Sequence, residues 1–490
     1  VDSENIKRKN RAFCQPREVF EGNRDFGMNL ISQGFLLLFV PLALAAYYWL
    51  ARTPRLKMFF LLAVSYYFYS FAGLKFIPVL FGLSLATYLL ARWNQFNWGI
   101  LINLAALILF KYWNFGVENI NLLFHAKLSL LNIGMPLGLS FFIFKHLGYL
   151  LDVQQKRYAP ASDFWMFATF SAYFPQISAG PISSYKDAAS QFAQLPHTLS
   201  GEQITSGLVG ISLGLAKKIL IADTISNVVS SEINSIGGFS GLIPAWYLVV
   251  GYAAQLYFDF SGYTDITLGV SQLFGVRLLQ NFNNPYLASS PSEFWERWHM
   301  SLSSWFRLYL FSPLSRSFLR KWGSDRREQA QYAANIITMS LVGLWHGAGW
   351  NYILWGLYHG IYLNLGAAWK RANKPIHPLL ERSIFLFFIL IGWALFMGQS
   401  PEYLAHLFKQ LFGFGGLGSR AMVLDLLNYN STLALLFAIP LMFSGVAESA
   451  NLEKQVQGNK LSLFILGAVA ALCILLLQEK TVSPFIYIEF

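Results

Sequence analysis

The chain has 490 residues and is 55% hydrophobic, 17% aromatic and only 12% charged, where soluble domains carry about 25% charged residues. With a mean hydropathy of +0.43, this excludes an ordinary soluble enzyme and indicates an all-α, polytopic integral membrane protein. The net charge of +11 sits in short loops between apolar runs, which fits topology and contact with anionic membrane lipids and argues against nucleic acid as a partner.

Residues 1–27 form a polar tail of mixed charge, and Met28 stands directly before the first apolar run. Met28 is the expected native start, with 1–27 read as upstream sequence; a disordered tail has the same composition. No cleavable signal peptide is recognised, so the first helix is expected to direct insertion. Residues 30–50 are long enough to cross a bilayer, and Arg52, Arg55 and Lys57 place the following loop in the cytoplasm. Runs 58–72 and 76–91 read as a hairpin turning near Gly73, and 100–113 as a further span bounded by Lys111.

Residues 135–151 are expected to be less regular, interrupted by Pro136 and Gly138 and punctuated by Lys145, His146 and Asp152. The short run 164–177 leads into Ser178-Ala179-Gly180-Pro181-Ile182. Such broken helices are tolerated at membrane depth where protein or a cavity surrounds the backbone, so this piece is expected to line or cap a cavity; a surface loop is the other reading. Helix 208–228 carries Lys217 and Lys218, expected near its cytoplasmic end where they can snorkel. Span 243–256 runs into Tyr257-Phe258-Asp259-Phe260-Ser261-Gly262-Tyr263-Thr264-Asp265. Later come a span at 383–396, an amphipathic piece at 402–411 expected in the interface, spans at 433–443 and 461–477, and a terminal aromatic run at 484–490. The span-length rule yields roughly eleven hydrophobic helices besides the broken and interfacial ones. Residues 28–490 read as one transmembrane domain with a catalytic core expected at about 250–370.

The polar residues that stand out lie in 293–360. Phe294-Trp295-Glu296-Arg297-Trp298-His299-Met300-Ser301-Leu302-Ser303 opens the stretch, and Leu344-Trp345-His346-Gly347-Ala348-Gly349-Trp350-Asn351 follows. On a continuous helix His299, Ser303 and Arg307 would share a polar face, with Glu296 a turn earlier, and Trp295, Trp298, Leu302 and Trp305 an aromatic one. A helix lying in the interface, anchored by its tryptophans, has the same pattern. Arg316, Arg320, Lys321, Arg326 and Arg327 place the next segment on the cytoplasmic side. His346 ends an apolar run and meets a glycine-interrupted turn, which makes it a functional-site candidate at membrane depth. Imidazole titrates near neutral pH and serves as a general base; a neutral core histidine bonded to a carbonyl is the alternative. His359, with Trp355 a turn away, reads as packing or a wall. His146, Lys145 and Asp152, and likewise Asp259 and Asp265, are cavity residues or satisfied polar pairs. His125, His197, His377 and His406 lie in loops or near helix ends and carry no assignment.

No phosphate-binding glycine loop, metal-spaced histidine set or nucleophile elbow is present, and Cys14 and Cys473 suggest neither a disulfide nor a metal site. No bound cofactor or metal is expected. Ser301 and Ser303 beside His299 suggest a covalent serine enzyme only weakly, for want of an orienting acid.

Arg297-Trp298-His299-Met300-Ser301-Leu302-Ser303, Leu344-Trp345-His346-Gly347 and Leu357-Tyr358-His359-Gly360 resemble the membrane-bound O-acyltransferase (MBOAT) family. The resemblance is to its bacterial branch of alginate and peptidoglycan O-acetylation and teichoic-acid D-alanyl transfer proteins. Gln255–Tyr263, Asn281-Phe282-Asn283-Asn284-Pro285-Tyr286, Ala179-Gly180-Pro181 and the terminal aromatic run look like the same family, so that it covers about 28–490. It implies a ring of tilted helices around a central tunnel reached from a cytoplasmic funnel. His346 would match the principal catalytic histidine and His299 the second. His346 is then the base, His299 orients substrate or polarises the thioester carbonyl, and Asn351 or a backbone amide donates to the oxyanion. Ser303, Arg307, Trp298, Trp345, Asp259 and His359 are the further substrate or tunnel candidates.

The resemblance also implies a donor, acetyl-CoA or an acylated carrier protein, and an extracytoplasmic acetyltransferase or secretion partner in the bacterial cytoplasmic membrane. Phe311-Ser312-Pro313-Leu314-Ser315-Arg316 departs from the Pro-Leu-Gly-Gly pattern associated with alginate acetylation. O-acetylation of an extracytoplasmic polysaccharide or peptidoglycan is the favoured expectation, with D-alanyl transfer to teichoic acid the alternative. A transporter would use the same histidines as a relay and predicts an internal repeat that is not visible. A catalytically silent scaffold would not need both histidine motifs.

Overall fold

A backbone in lipid must satisfy its own hydrogen bonds, and the apolar runs do so as helices. The computed structural model describes residues 29–234, 239–373, 376–428, 430–445 and 459–479. The polar tail with Met28 and the terminal aromatic run lie outside the described residues. Among the described residues the only extended pairing is an isolated bridge between Phe282 and Trp298, so the protein is all-helical.

Helix α1 (Gly34–Leu50) packs Phe35 and Phe39 against Phe68 and Phe174. Thr53 caps α2 (Pro54–Ser70) by accepting from the Leu56 amide at 3.2 Å. The chain reverses at Gly73 into α3 (Ile77–Arg92), as the hairpin reading expects. Helix α4 (Phe96–Phe124) runs well past the expected 100–113 span, through a π-helical turn at Ile108–Tyr112. Helix α5 (Leu139–Gln154) is continuous and buried along most of its length. Pro136 and Gly138 mark its start instead of interrupting it: Gly138 has φ +63°, and a Cβ there would lie 1.7 Å from the Ile177 carbonyl oxygen. Helix α6 (Phe164–Ala172) breaks at Tyr173 before a short turn, Phe174–Ile177, all buried.

Helices α7 (Gly201–Ser230) and α8 (Leu242–Leu273) correct one expectation. Lys217 and Lys218 lie in mid-helix, on a further π turn at Ala216–Ala222, and are buried. Lys217 pairs with Asp265 at 2.6 Å, while Lys218 bridges Asp223 at 2.8 Å and Asp259 at 2.7 Å. Carboxylates on α8 meet both ammonium groups inside the protein, so neither snorkels to the surface. Asp259 is therefore part of a charged strut between helices.

Beyond α9 (Pro291–Arg297), α10 (Met300–Phe306) and the basic α11 (Ser312–Trp322) come two central helices, α12 (Arg327–His346) and α13 (Trp350–Ala372). Helix α14 (Pro378–Phe396) packs against α13 and α8. The amphipathic α15 (Pro401–Leu411) buries Tyr403, Leu404, Leu407 and Leu411. Gln410 accepts from the Gly241 amide at 2.8 Å, so this apolar face is spent on protein rather than on the lipid interface. Helices α16 (Asn430–Ser444) and α17 (Lys460–Glu479) follow. Five described helices have the length and hydropathy to cross a bilayer unaided, and Gly34–Leu50 and Asn430–Ser444 are shorter apolar ones. Helices α8, α12 and α13 instead turn polar side chains inward.

Candidate active site

Close helix packing brings His346 to a corner. Helices α12 and α13 run antiparallel, joined by Gly347-Ala348-Gly349. A Cβ on Gly343 would lie 2.1 Å from the Tyr352 carbonyl oxygen, and one on Gly356 2.1 Å from that of Met339. Only the missing side chains let the two backbones meet this closely, as small residues do between membrane helices. His346 is the last residue of α12, and Asn351 lies in the first turn of α13.

His299 is placed by a different device, which overturns the single-helix reading of 295–307. Helix α9 ends at Arg297, Trp298 is extended, and His299 is left-handed at φ 43° and ψ 54° before α10 starts at Met300. The segment 281–283 holds this break open. The Asn283 amide donates to the Arg297 carbonyl at 3.0 Å, and the Met300 amide to that of Asn281 at 2.9 Å. Ser301 donates to the Asn281 side chain at 2.6 Å and accepts from the Ile182 amide at 3.0 Å. Ser301 is thus a structural pin, its hydroxyl engaged with Asn281 and the Ile182 amide. The Asn281 and Ile182 motifs, conspicuous in sequence without a role, serve to aim His299.

The break also scatters the expected polar face. Ser303 spends its hydroxyl on the Trp298 carbonyl at 3.1 Å. Arg307 is exposed, 3.6 Å from an equally exposed Glu296, and does not join the buried histidines. Trp298 packs in the core between Phe294 and Trp393, with ring centroids at 5.6 and 4.9 Å.

Three histidines and two tryptophans form a buried series. The Trp345 ring lies 6.1 Å from His299 and 4.9 Å from His346. The Trp355 ring lies 5.1 Å from His346 and 4.8 Å from His359. Phe260 closes one end at 4.7 Å from His299, Phe396 covers His346 at 5.3 Å, and Trp295 meets His359 at 5.1 Å. All three imidazoles are at most 3% exposed.

The polar atoms around this series are unusual. Both ring nitrogens of His359, both amide atoms of Asn351 and the indole nitrogens of Trp295, Trp345 and Trp355 are buried without a hydrogen-bond partner among the described residues. Native interiors leave few such groups, and a cluster of them suits a polar guest. His146 is the contrast. Its Nδ1 lies 3.0 Å from Asn103 Oδ1 and its Nε2 2.7 Å from Ser171 Oγ, the pattern of a satisfied core histidine. Lys145 donates to the Phe170 carbonyl, and Asp152 pairs with Arg157 at 2.8 Å.

The sequence pattern of the membrane-bound O-acyltransferase family matches residues 161–404, a stretch that includes all three histidines, Asn281 and Ile182. The chain is 34% identical over 406 residues to the probable alginate O-acetylase AlgI of Azotobacter vinelandii, covering 78% of both chains. The chain belongs to the membrane-bound O-acyltransferase family. This MBOAT is 31% identical over 426 residues to the peptidoglycan O-acetyltransferase of Helicobacter pylori, covering 78% of this chain and 79% of that one. It is 32% identical over 256 residues to the teichoic acid D-alanyltransferase of Streptococcus thermophilus, covering 51% and 60%. It is accordingly a membrane O-acyltransferase.

Sequence reasoning passed over several residues that build the site. Trp355 and Phe396 close the histidine series but look like ordinary helix aromatics in sequence. Lys111 bounds a span in the sequence, and its position at the end of the apolar run Leu107-Ile108-Leu109-Phe110 is the signal that marks it.

Proposed function

We propose that the protein transfers an acetyl group from acetyl-CoA, on the cytoplasmic side of a bacterial cytoplasmic membrane, to an acceptor hydroxyl. The group is destined for O-acetylation of an extracytoplasmic polysaccharide or peptidoglycan, through an extracytoplasmic acetyltransferase or secretion partner. The observation that carries this reading is the buried His299–Trp345–His346–Trp355–His359 series beside Asn351, whose amide atoms have no partner among the described residues. The names of the two O-acetylating relatives support the choice of acetyl.

His346 removes the acceptor proton as its oxygen attacks the thioester carbonyl. The new C–O bond forms, the C–S bond breaks, and the proton passes from His346 to the departing thiolate. Asn351 and the first amides of α13, which have no side-chain cap, donate to the oxyanion in a site dry enough to strengthen those bonds. His299 orients substrate or polarises the carbonyl, while Trp345, Trp355 and His359 form the walls. Asp259 acts at one remove, since its neighbour Phe260 packs on His299.

The test uses membranes containing the intact protein and the candidate partner, radiolabelled acetyl-CoA, and His346→Ala at equal expression. Loss of transfer in the folded variant supports the reading, and equal activity in both removes His346 as the base. The D-alanyl alternative is kept because a relative of that name matches half the chain. Inactivity with acetyl-CoA that a thioester-loaded carrier protein relieves would favour it.

A further inference from the structure

The corner that carries His346 is held from outside its own hairpin. The last carbonyls of a helix have no intrahelical donor. In α12 the Gly343 carbonyl takes the Gly347 amide at 3.4 Å, while the next two are served by adjacent residues of α4. The Tyr112 hydroxyl donates to the Leu344 carbonyl at 2.9 Å, and the Lys111 ammonium donates to that of Trp345. Lys111 is 8% exposed, reaches Ser140 Oγ at 3.5 Å, and forms no ion pair among the described residues. Lys217 and Lys218, by contrast, are held by carboxylates.

Local geometry makes this double reach possible. In a regular α-helix adjacent side chains diverge by about 100° and do not converge on one neighbour. Lys111 and Tyr112 lie in the π turn Ile108–Tyr112, whose extra residue per turn changes the side-chain phase; such bulges are rare and often functional. The cation also meets the negative end of the α12 dipole.

We infer that Lys111, seconded by Tyr112, is a positioning residue for His346. It fixes the peptide units of Leu344 and Trp345, and with them both the Trp345 ring between His299 and His346 and the direction in which the His346 imidazole points. This rests on the reading of His346 as the base. Lys111 touches the backbone that presents the base and is not itself assigned contact with substrate.

The test compares Lys111→Met, Lys111→Arg and Tyr112→Phe in the full-length protein, with His346→Ala alongside, following acetyl transfer from acetyl-CoA. A small misplacement of a reacting group costs up to about 100-fold in rate. Lys111→Met should therefore lower kcat about 10- to 100-fold while KM for acetyl-CoA stays essentially unchanged. Lys111→Arg, which keeps a cation over the same carbonyl, should recover part of the loss. Tyr112→Phe keeps the ring and should lower kcat by a smaller factor, and it decides the matter should Lys111→Met fail to fold. Wild-type kcat in both Lys111→Met and Tyr112→Phe, with His346→Ala inactive, overturns the inference and leaves the base assignment standing. Activity in His346→Ala overturns the base assignment itself.

Discussion

Replacing Gly343 with alanine tests whether the α12–α13 corner is held to the tolerance that acyl transfer needs. The new Cβ would lie 2.1 Å from the Tyr352 carbonyl oxygen, where real Cβ contacts stay beyond 3.0 Å. The difference, 3.0 minus 2.1, requires the backbones to part by at least 0.9 Å, one turn before His346. The obstacle is main chain and cannot rotate away. Overpacking of this kind costs about 1–3 kcal/mol, against a gain of up to about 1 kcal/mol from alanine's better helix propensity. The variant should therefore fold with modestly reduced stability. A displacement near 1 Å at a reacting group costs on the order of 100-fold, so kcat should fall about 10- to 100-fold. Gly116→Ala is the control, since its Cβ would meet nothing within 4 Å. The assay pairs acetyl transfer with thermal unfolding in detergent. Wild-type kcat for Gly343→Ala would refute the close-approach argument, and equal losses in Gly116→Ala would show that the effect is generic.

The strut between α7 and α8 should be stability-critical. Lys218→Met leaves Asp223 and Asp259 buried without their shared cation, a change that costs about 3–5 kcal/mol, and adding Asp259→Asn should restore part of the melting temperature. No change in melting would contradict the burial of the pair. Gly392→Ala places a Cβ 2.6 Å from His359 Nε2, so it should push that ring and lower transfer several-fold if His359 forms a wall of the site; unaltered kinetics would remove His359 from it. Arg307→Ala deletes an exposed ion pair, for which a stability change under about 1 kcal/mol is expected, and activity should be retained. A large loss of transfer in that variant would return Arg307 to the substrate path.

Much of this protein is readable from sequence because its signals are local. Apolar runs and their charged flanks announce a helical membrane protein, the Gly73 hairpin is present, and a glycine-interrupted turn singles out His346. The failures also share a cause. Nothing near Lys217 in the chain distinguishes a lysine that snorkels from one that meets Asp265, a partner 48 residues away. Pro136 and Gly138 look like breaks within a helix, and only the Ile177 carbonyl pressed against Gly138 shows that they precede one. Helical spacing of His299, Ser303 and Arg307 is the correct inference for an isolated segment. It fails because residues 281–283 compete for the backbone and force His299 into a left-handed turn.

Composition, periodicity and motif residues thus determined the class of protein, its family and the histidines worth testing, since each depends on side-chain type at a given position. Which groups stand beside His346 was decided only by tertiary packing. Trp345 and Trp355 on either side, Asn351 at the next helix start and Lys111 on the carbonyl before it come from three helices, and their convergence depends on backbone approach and π turns that a sequence window does not encode.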